Sequence, residues 1–167
     1  MEAGAGCPFR VGIGYDIHRL TEGSHLVLGG VGIPHDKGLV GHSDGDVVLH
    51  AVIDALLGAA GLPDIGECFP DTDPAYKDAD SRELLADVVQ RVRARGWVPG
   101  NLDMVVHAQE PKLSPHKIEI AGSIAKLIGL SAGAVSVKAK TNEGLGPIGE
   151  GLAIACTACV LLVAEGR

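Results

Sequence analysis

Aromatic residues are almost missing from this 167-residue chain: two Phe, two Tyr and one Trp make up 3% of it, against 46% hydrophobic residues overall. Its interior must be built from aliphatic and small side chains. Basic runs are lacking too: 14 Lys and Arg face 21 Asp and Glu, for a formal charge of −7. That balance argues against nucleic acid and anionic membrane surfaces as partners. No long apolar run occurs; the longest, Leu152 to Ala164, falls well short of the ~20 residues a membrane span needs. The first residues carry neither a basic region nor an apolar stretch. Only four cysteines are present, Cys7, Cys68, Cys156 and Cys159. They are scattered through a chain long enough to bury about two-thirds of its unfolded surface without staples, which suits a reducing compartment. These absences define the expectation of a soluble, cytoplasmic protein with no membrane partner. It forms a single domain over 1–167, with residues 1–9 outside the ordered fold.

What is present alternates between strand and helix patterns. Val11, Ile13, Tyr15 and Ile17 alternate with Gly12, Gly14, Asp16 and His18, which predicts a first strand over 10–19. Asp16 and His18 then share a face beside two glycines. A short strand over 26–28 and a polar loop over 34–45 follow. Asp46 is the expected N-cap of a helix reaching Ala60, apolar nearly all round except for Asp46, His50 and Asp54, four apart. The stretch from Gly61 to Asp78, rich in Pro, Gly and Asp, reads as a working loop over a site. Asp80 and Glu83 open an amphipathic helix closing at Arg95-Gly96, and Ser114-Pro115 opens another, with Pro at its first position, ending near Ile128. Strands are expected over 102–109, 135–140 and 152–163. Cys156 and Cys159, three apart on the last strand, point to opposite faces and read as core thiols rather than a metal or redox pair. The fold class expected is α/β, a layered α+β sandwich: a mixed sheet of four or five strands with three helices on one face. The final strand is apolar on both faces, so the other face should pack in a homo-oligomer.

Asp16, His18 and His50 supply the ligand types and number of an open Zn²⁺ site with one position free. Asp-x-His is also short enough to arise by chance, and a lone helical His is often a hydrogen-bonded core residue. Asp54, one turn beyond His50, could orient its ring or be a solvated carboxylate. His42-Ser43-Asp44-Gly45-Asp46 brings an imidazole, a hydroxyl and backbone N–H groups to a helix N-terminus, which suits an anion and equally suits a plain capped turn. His25, His35, His107 and His116 lack such a setting and read as surface or helix-end residues.

Taken together, Gly14-Tyr15-Asp16-Ile17-His18, the run from His42 to His50, Asp64-Ile65-Gly66, Phe69 to Pro74, Asp80-Ser81-Arg82 and Lys138 to Glu143 resemble one family. It is that of the 2-C-methyl-D-erythritol 2,4-cyclodiphosphate synthases of non-mevalonate isoprenoid biosynthesis, matched from Arg10 to Ala164. The resemblance implies a homotrimer with active sites between neighbouring subunits. It also implies a lyase that cyclises 4-diphosphocytidyl-2-C-methyl-D-erythritol 2-phosphate and releases CMP. By the same resemblance, Asp16, His18 and His50 hold Zn²⁺ at the β-phosphate, and Glu143 holds a second divalent ion, Mg²⁺ or Mn²⁺. His42 and Thr141 match positions that stabilise the transition state, and Ser43 matches a phosphate contact. Asp64, Ile65 and Gly66 match the methylerythritol site, with Phe69, Asp71 and Asp73 in the loop beside it. Ala108, Lys112, Leu113, Ser114, Ala139 and Lys140 match the cytidine and diphosphate pocket.

The chain departs from the family pattern twice. Many members carry an aromatic and an Arg in a longer loop where this chain has Gly146-Pro147-Ile148-Gly149-Glu150, and Lys140 stands where many have Thr. Two other functions use the same trio: a zinc-dependent phosphohydrolase giving a linear product, and a non-enzymatic oligomer held by structural zinc, which would ordinarily need four protein ligands.

Overall fold

A computed structural model of the chain describes residues 7–41, 43–70, 72–73, 76 and 79–166. Its main sheet has five strands: β1 (Phe9–Glu22), β4 (Lys37–Val40), β5 (Trp97–His107), β6 (Val135–Lys140) and β7 (Ala153–Ala164). Their order is β4-β1-β7-β5-β6, antiparallel throughout except for the β5-β6 pair, which is parallel. The register runs straight across the sheet: Asp16 stands opposite Cys156, Cys156 opposite Val106, and Val106 opposite Ala139. Three long helices, α1 (Val47–Ala60), α3 (Ser81–Ala94) and α4 (Lys117–Ile128), pack on one face, and two single turns, α2 (Ile65–Cys68) and α5 (Gly146–Gly149), lie in loops. This is the expected mixed α/β layering.

Glycine sets the depth at which α1 lies. A Cβ on Gly12 would fall 2.0 Å from the Ala55 carbonyl oxygen, and one on Gly14 would fall 2.0 Å from that of Ala51. The helix therefore rests directly on the β1 backbone, and every α1 residue except Asp54 and Gly58 is buried. Its N-cap, Asp46, is wholly buried and accepts four backbone N–H groups: Val48 and Leu49 of the first turn, and Gly29 and Gly30. Burial raises the Asp46 carboxyl to about 6 even though those N–H groups pull it down. Gly29 and Gly30, both at positive φ, form the two-residue turn of a hairpin between β2 (Leu26–Leu28) and β3 (Val31–Ile33).

Several boundaries differ from the sequence expectation. The polar loop over 34–45 contains β4, whose four residues pair with Arg19 to Glu22 of β1; so short a strand carries too few residues to show period two. Phe9, placed outside the fold by the sequence reading, begins β1 and pairs with Val163. Pro115 precedes α4 rather than opening it, because the chain makes a turn through His116, whose N–H bonds the Leu113 carbonyl. β5 starts five residues before the expected 102, carrying Pro99 through an irregularity at Gly100.

The face of the sheet away from the helices is uncovered. It presents Phe9, Val11, Ile13 and Tyr15 of β1, each more than half exposed, with Cys159 on β7 beside them. Cys156, by contrast, is buried on the helix side; the two point to opposite faces as their spacing predicts, but Cys159 is exposed on the uncovered face and is not the core thiol the sequence reading expected.

Candidate active site

Because β1 alternates, Asp16 and His18 project from the same face as Gly12 and Gly14, toward α1. The depth fixed by the two glycines brings His50 of α1 down onto them. Asp16 Oδ2 lies 2.8 Å from His18 Nε2 and 3.0 Å from His50 Nδ1, and the two ring nitrogens are 3.2 Å apart. Donors bound tetrahedrally at zinc distances of ~2.0–2.1 Å would stand about 3.3 Å from each other, so the trio needs only slight expansion to take such an ion.

The outer nitrogens of both rings are committed elsewhere. His18 Nδ1 is 2.8 Å from the Val40 carbonyl, which can only accept, so this nitrogen carries the proton and Nε2 presents a lone pair. Room for the ring comes from Gly41, where a Cβ would meet His18 Cε1 at 2.9 Å. His50 Nε2 lies 2.9 Å from both Ser43 Oγ and Ser81 Oγ. The His18 lone pair thus meets the Asp16 carboxylate with His50 Nδ1 beside them, an arrangement that calls for a cation or a proton between them. The titration shifts carry the same message. Burial would raise the Asp16 carboxyl, yet hydrogen bonds and charge from the two imidazoles hold it well below the usual carboxylate range. Burial would lower His18, yet Asp16 outweighs it and pulls the ring up.

This trio forms one wall of a cleft completed by Ser43, Ile65, Gly66, Phe69, Tyr76 and Leu84. Asp54 is half-buried and serves the cleft indirectly: its Oδ1 accepts the Ile65 N–H at 2.8 Å, pinning the loop, and does not orient His50 as the four-residue spacing suggested. Asp64 caps the single turn α2 through the Glu67 N–H. Phe69 packs edge-on against Tyr76 and under the Arg91 guanidinium, which anchors the loop to α3. Asp73 lies on the exposed outer part of this loop, its N–H bonded to the Pro70 carbonyl. His42 and Asp71 fall outside the described residues.

The other predicted site residues collect elsewhere. Ala108, Lys112, Leu113, Ser114, Ala139, Lys140 and Thr141 line a second, smaller cleft where β5 and β6 end. Beyond it Glu143 sits at φ 51, and its carboxylate accepts the Thr141 hydroxyl. A non-glycine residue held in the left-handed region is the kind of local strain that clusters at working sites. Among the described residues only Asp16, His18 and His50 form a group of three donors able to hold a metal; Glu143 belongs to none. Asp16 and Ala139 share one row of the sheet but are three strand spacings apart, roughly 14 Å. Within one chain the clefts share no lining residue.

Sequence reasoning quoted Asp44 and Ser81 within motifs but gave neither of them a role beside His50. Asp80 caps α3 through the Arg82 N–H, which leaves the hydroxyl of the wholly buried Ser81 free for the site. A serine placed just after a competent capping aspartate was the available signal.

A model of the YgbB family matches residues 9–163. The chain belongs to the YgbB family. A 2-C-methyl-D-erythritol 2,4-cyclodiphosphate synthase of Bordetella petrii is 60% identical over 155 residues, covering 93% of this chain and 96% of that protein. Among solved structures, the bifunctional IspDF from Campylobacter jejuni superposes with a TM-score of 0.90 at 44% identity. That match covers 93% of this chain, which spans 42% of the bifunctional one. A Plasmodium falciparum IspF solved as a CDP complex matches with a TM-score of 0.84 at 36% identity, covering 97% of this chain and all of that one. No helix among the described residues is long and apolar enough to cross a membrane.

Proposed function

We propose that the chain is a metal-dependent 2-C-methyl-D-erythritol 2,4-cyclodiphosphate synthase, a lyase of isoprenoid precursor biosynthesis acting on 4-diphosphocytidyl-2-C-methyl-D-erythritol 2-phosphate. The observation that carries this is the convergence of Asp16 Oδ2, His18 Nε2 and His50 Nδ1 at the wall of a cleft. It occurs in a chain whose relatives at about 60% identity bear that name. Asp16, His18 and His50 hold Zn²⁺ in this reading, with Glu143 contributing to a second ion, Mg²⁺ or Mn²⁺. When bound, the ions neutralise the phosphates and make the β-phosphorus more electrophilic.

The reaction needs no general base, because a phosphate monoester is largely dianionic at neutral pH. An oxygen of the 2-phosphate attacks the β-phosphorus, the bond from that phosphorus to the α-phosphate oxygen breaks, and CMP departs with the electron pair. Ring closure then depends on alignment. The pinned loop, with Asp64, Ile65, Gly66, Phe69, Asp71 and Asp73, holds the methylerythritol and keeps out water. Ser43 donates to a phosphate oxygen. Ala108, Lys112, Leu113, Ser114, Ala139 and Lys140 hold the cytidine diphosphate portion, while His42 and Thr141 stabilise the transition state.

The two clefts work together in a homotrimer, each active site drawing its metal centre from one subunit and its cytidine pocket from the next. Two features support this: the roughly 14 Å gap within one chain, and the uncovered apolar face of β1. We place the whole domain, 1–167, in that assembly and in the cytoplasm. Incubation with the cytidine diphosphate substrate, followed by chromatography for CMP and phosphorus NMR for the second product, should show a cyclic diphosphate. A linear product would overturn the cyclase and point to a hydrolase.

A further inference from the structure

Behind His50, Ser43 and Ser81 both reach its Nε2, and Asp44 lies behind Ser81. Ser81 gives both of its donors to Asp44: the hydroxyl to Oδ1 and the backbone N–H to Oδ2 at 3.2 Å. A hydroxyl has one proton, so once it is committed to the carboxylate, Ser81 Oγ can only accept. The nitrogen 2.9 Å away, His50 Nε2, is then called on to donate; Asp16 Oδ2, 3.0 Å from Nδ1, competes for the same proton, and a cation at Nδ1 removes that competition. Ser43 Oγ, also 2.9 Å from Nε2, could donate or accept, so it cannot decide the matter. Ser81 Oγ can also accept from Ser43 Oγ at 3.2 Å, but it is wholly buried, and only a proton on Nε2 makes its 2.9 Å contact with that nitrogen favourable.

We propose that Asp44 and Ser81 are positioning residues that hold His50 in its Nε2–H tautomer, turning the Nδ1 lone pair toward Asp16 and His18 to receive a divalent cation. The inference rests on the metal-centre reading above. It also gives the start of α3 and the loop before α1 a shared task, since the Asp44 N–H bonds the Ala79 carbonyl and locks the two segments in register. Groups of this kind typically matter by about tenfold to a hundredfold in metal affinity.

The test uses the full-length protein stripped of metal, labelled with ¹⁵N-histidine and held above the imidazole titration range, with His50 assigned by its absence from His50→Gln. The wild-type ring should be protonated at Nε2. Ser81→Ala removes the acceptor. Asp44→Asn keeps the volume but supplies an amide N–H₂ that can donate to Ser81, freeing the hydroxyl to donate to Nε2 and so favouring Nδ1–H. Both variants should shift the tautomer and weaken zinc binding by about tenfold or more in competition with a chromophoric chelator, while melting near the wild type. Protonation at Nδ1 in the wild type would overturn the proposal, as would unchanged zinc affinity in both variants. Should neither variant fold, the wild-type spectrum still decides. A wild type that shows Nε2–H but binds no zinc would support the relay and overturn the metal centre alone.

Discussion

The two clefts differ in how completely the chain builds them. The one at β1 and α1 is held from below by two glycines in contact with a helix backbone, from the sides by hydrogen bonds to both imidazoles, and from above by a pinned loop. The one at the ends of β5 and β6 has four exposed residues in its lining, Lys112, Ser114, Lys140 and Thr141, with Glu143 held by one hydroxyl. A metal centre needs its donors placed before the ion arrives, because a loose trio loses binding energy in ordering itself. In the proposed reading the second cleft holds a flexible diphosphate, and the ligand and a neighbouring subunit complete it. On that reading the rigid half belongs to the fold, and the open half to the complex.

The sharpest way to break this difference is to lift α1 off the sheet. Gly14→Ala places a methyl 2.0 Å from the Ala51 carbonyl oxygen, where only a backbone shift can relieve it. We expect it to destabilise the protein by roughly 3 kcal/mol or more and to abolish zinc binding. A urea melt and elemental analysis check this; a normal melt with zinc retained would show that the close contact is not needed.

A smaller effect separates the clefts by function. His50→Ala should lose zinc, whereas Glu143→Gln should keep it and lose most CMP release, with partial recovery at high Mg²⁺ or Mn²⁺, since a hard ion prefers a charged oxygen. Zinc retained in His50→Ala would remove that residue from the centre, and normal turnover by Glu143→Gln would refute its role at a second ion.

The smallest effect is one of pH, and it is confined to the rigid half. Asp46 binds its proton more tightly folded than unfolded, so its contribution is complete below the ordinary carboxylate value and is lost as pH rises to about 6. His18 is also raised, so its contribution is full below 6.5 and fades as pH rises through its folded value. Both act in the same direction, and the metal-free protein should lose stability steadily from mildly acid to alkaline pH. Zinc, which needs unprotonated imidazoles, should reverse the upper part of that trend. Urea midpoints across the range, with and without zinc, would show it; a metal-free curve that rises with pH would contradict both assignments.

Much of this was legible in the chain itself. The alternation around Asp16 and His18, the apolar helix carrying His50, and the Asp46 and Asp80 caps are local patterns, and each formed where the spacing placed it. Asp54 and Ser81 show where local pattern ends. On the helix Asp54 stands one turn from His50, but its partner is the Ile65 N–H, reached only once the loop folds back. Ser81 meets His50 across 31 residues of chain, and no periodicity records such a meeting.

By itself, then, the sequence determined most of the long elements, the donor types and the family resemblance, because period, capping and motif depend on residues close in the chain. The tertiary structure alone decided which nitrogen of each imidazole faces the centre, that β4 joins the sheet, and that the second cleft stands three strands away. Those outcomes depend on hydrogen bonds and backbone approaches between segments far apart in sequence, and these exist only when the layers have packed.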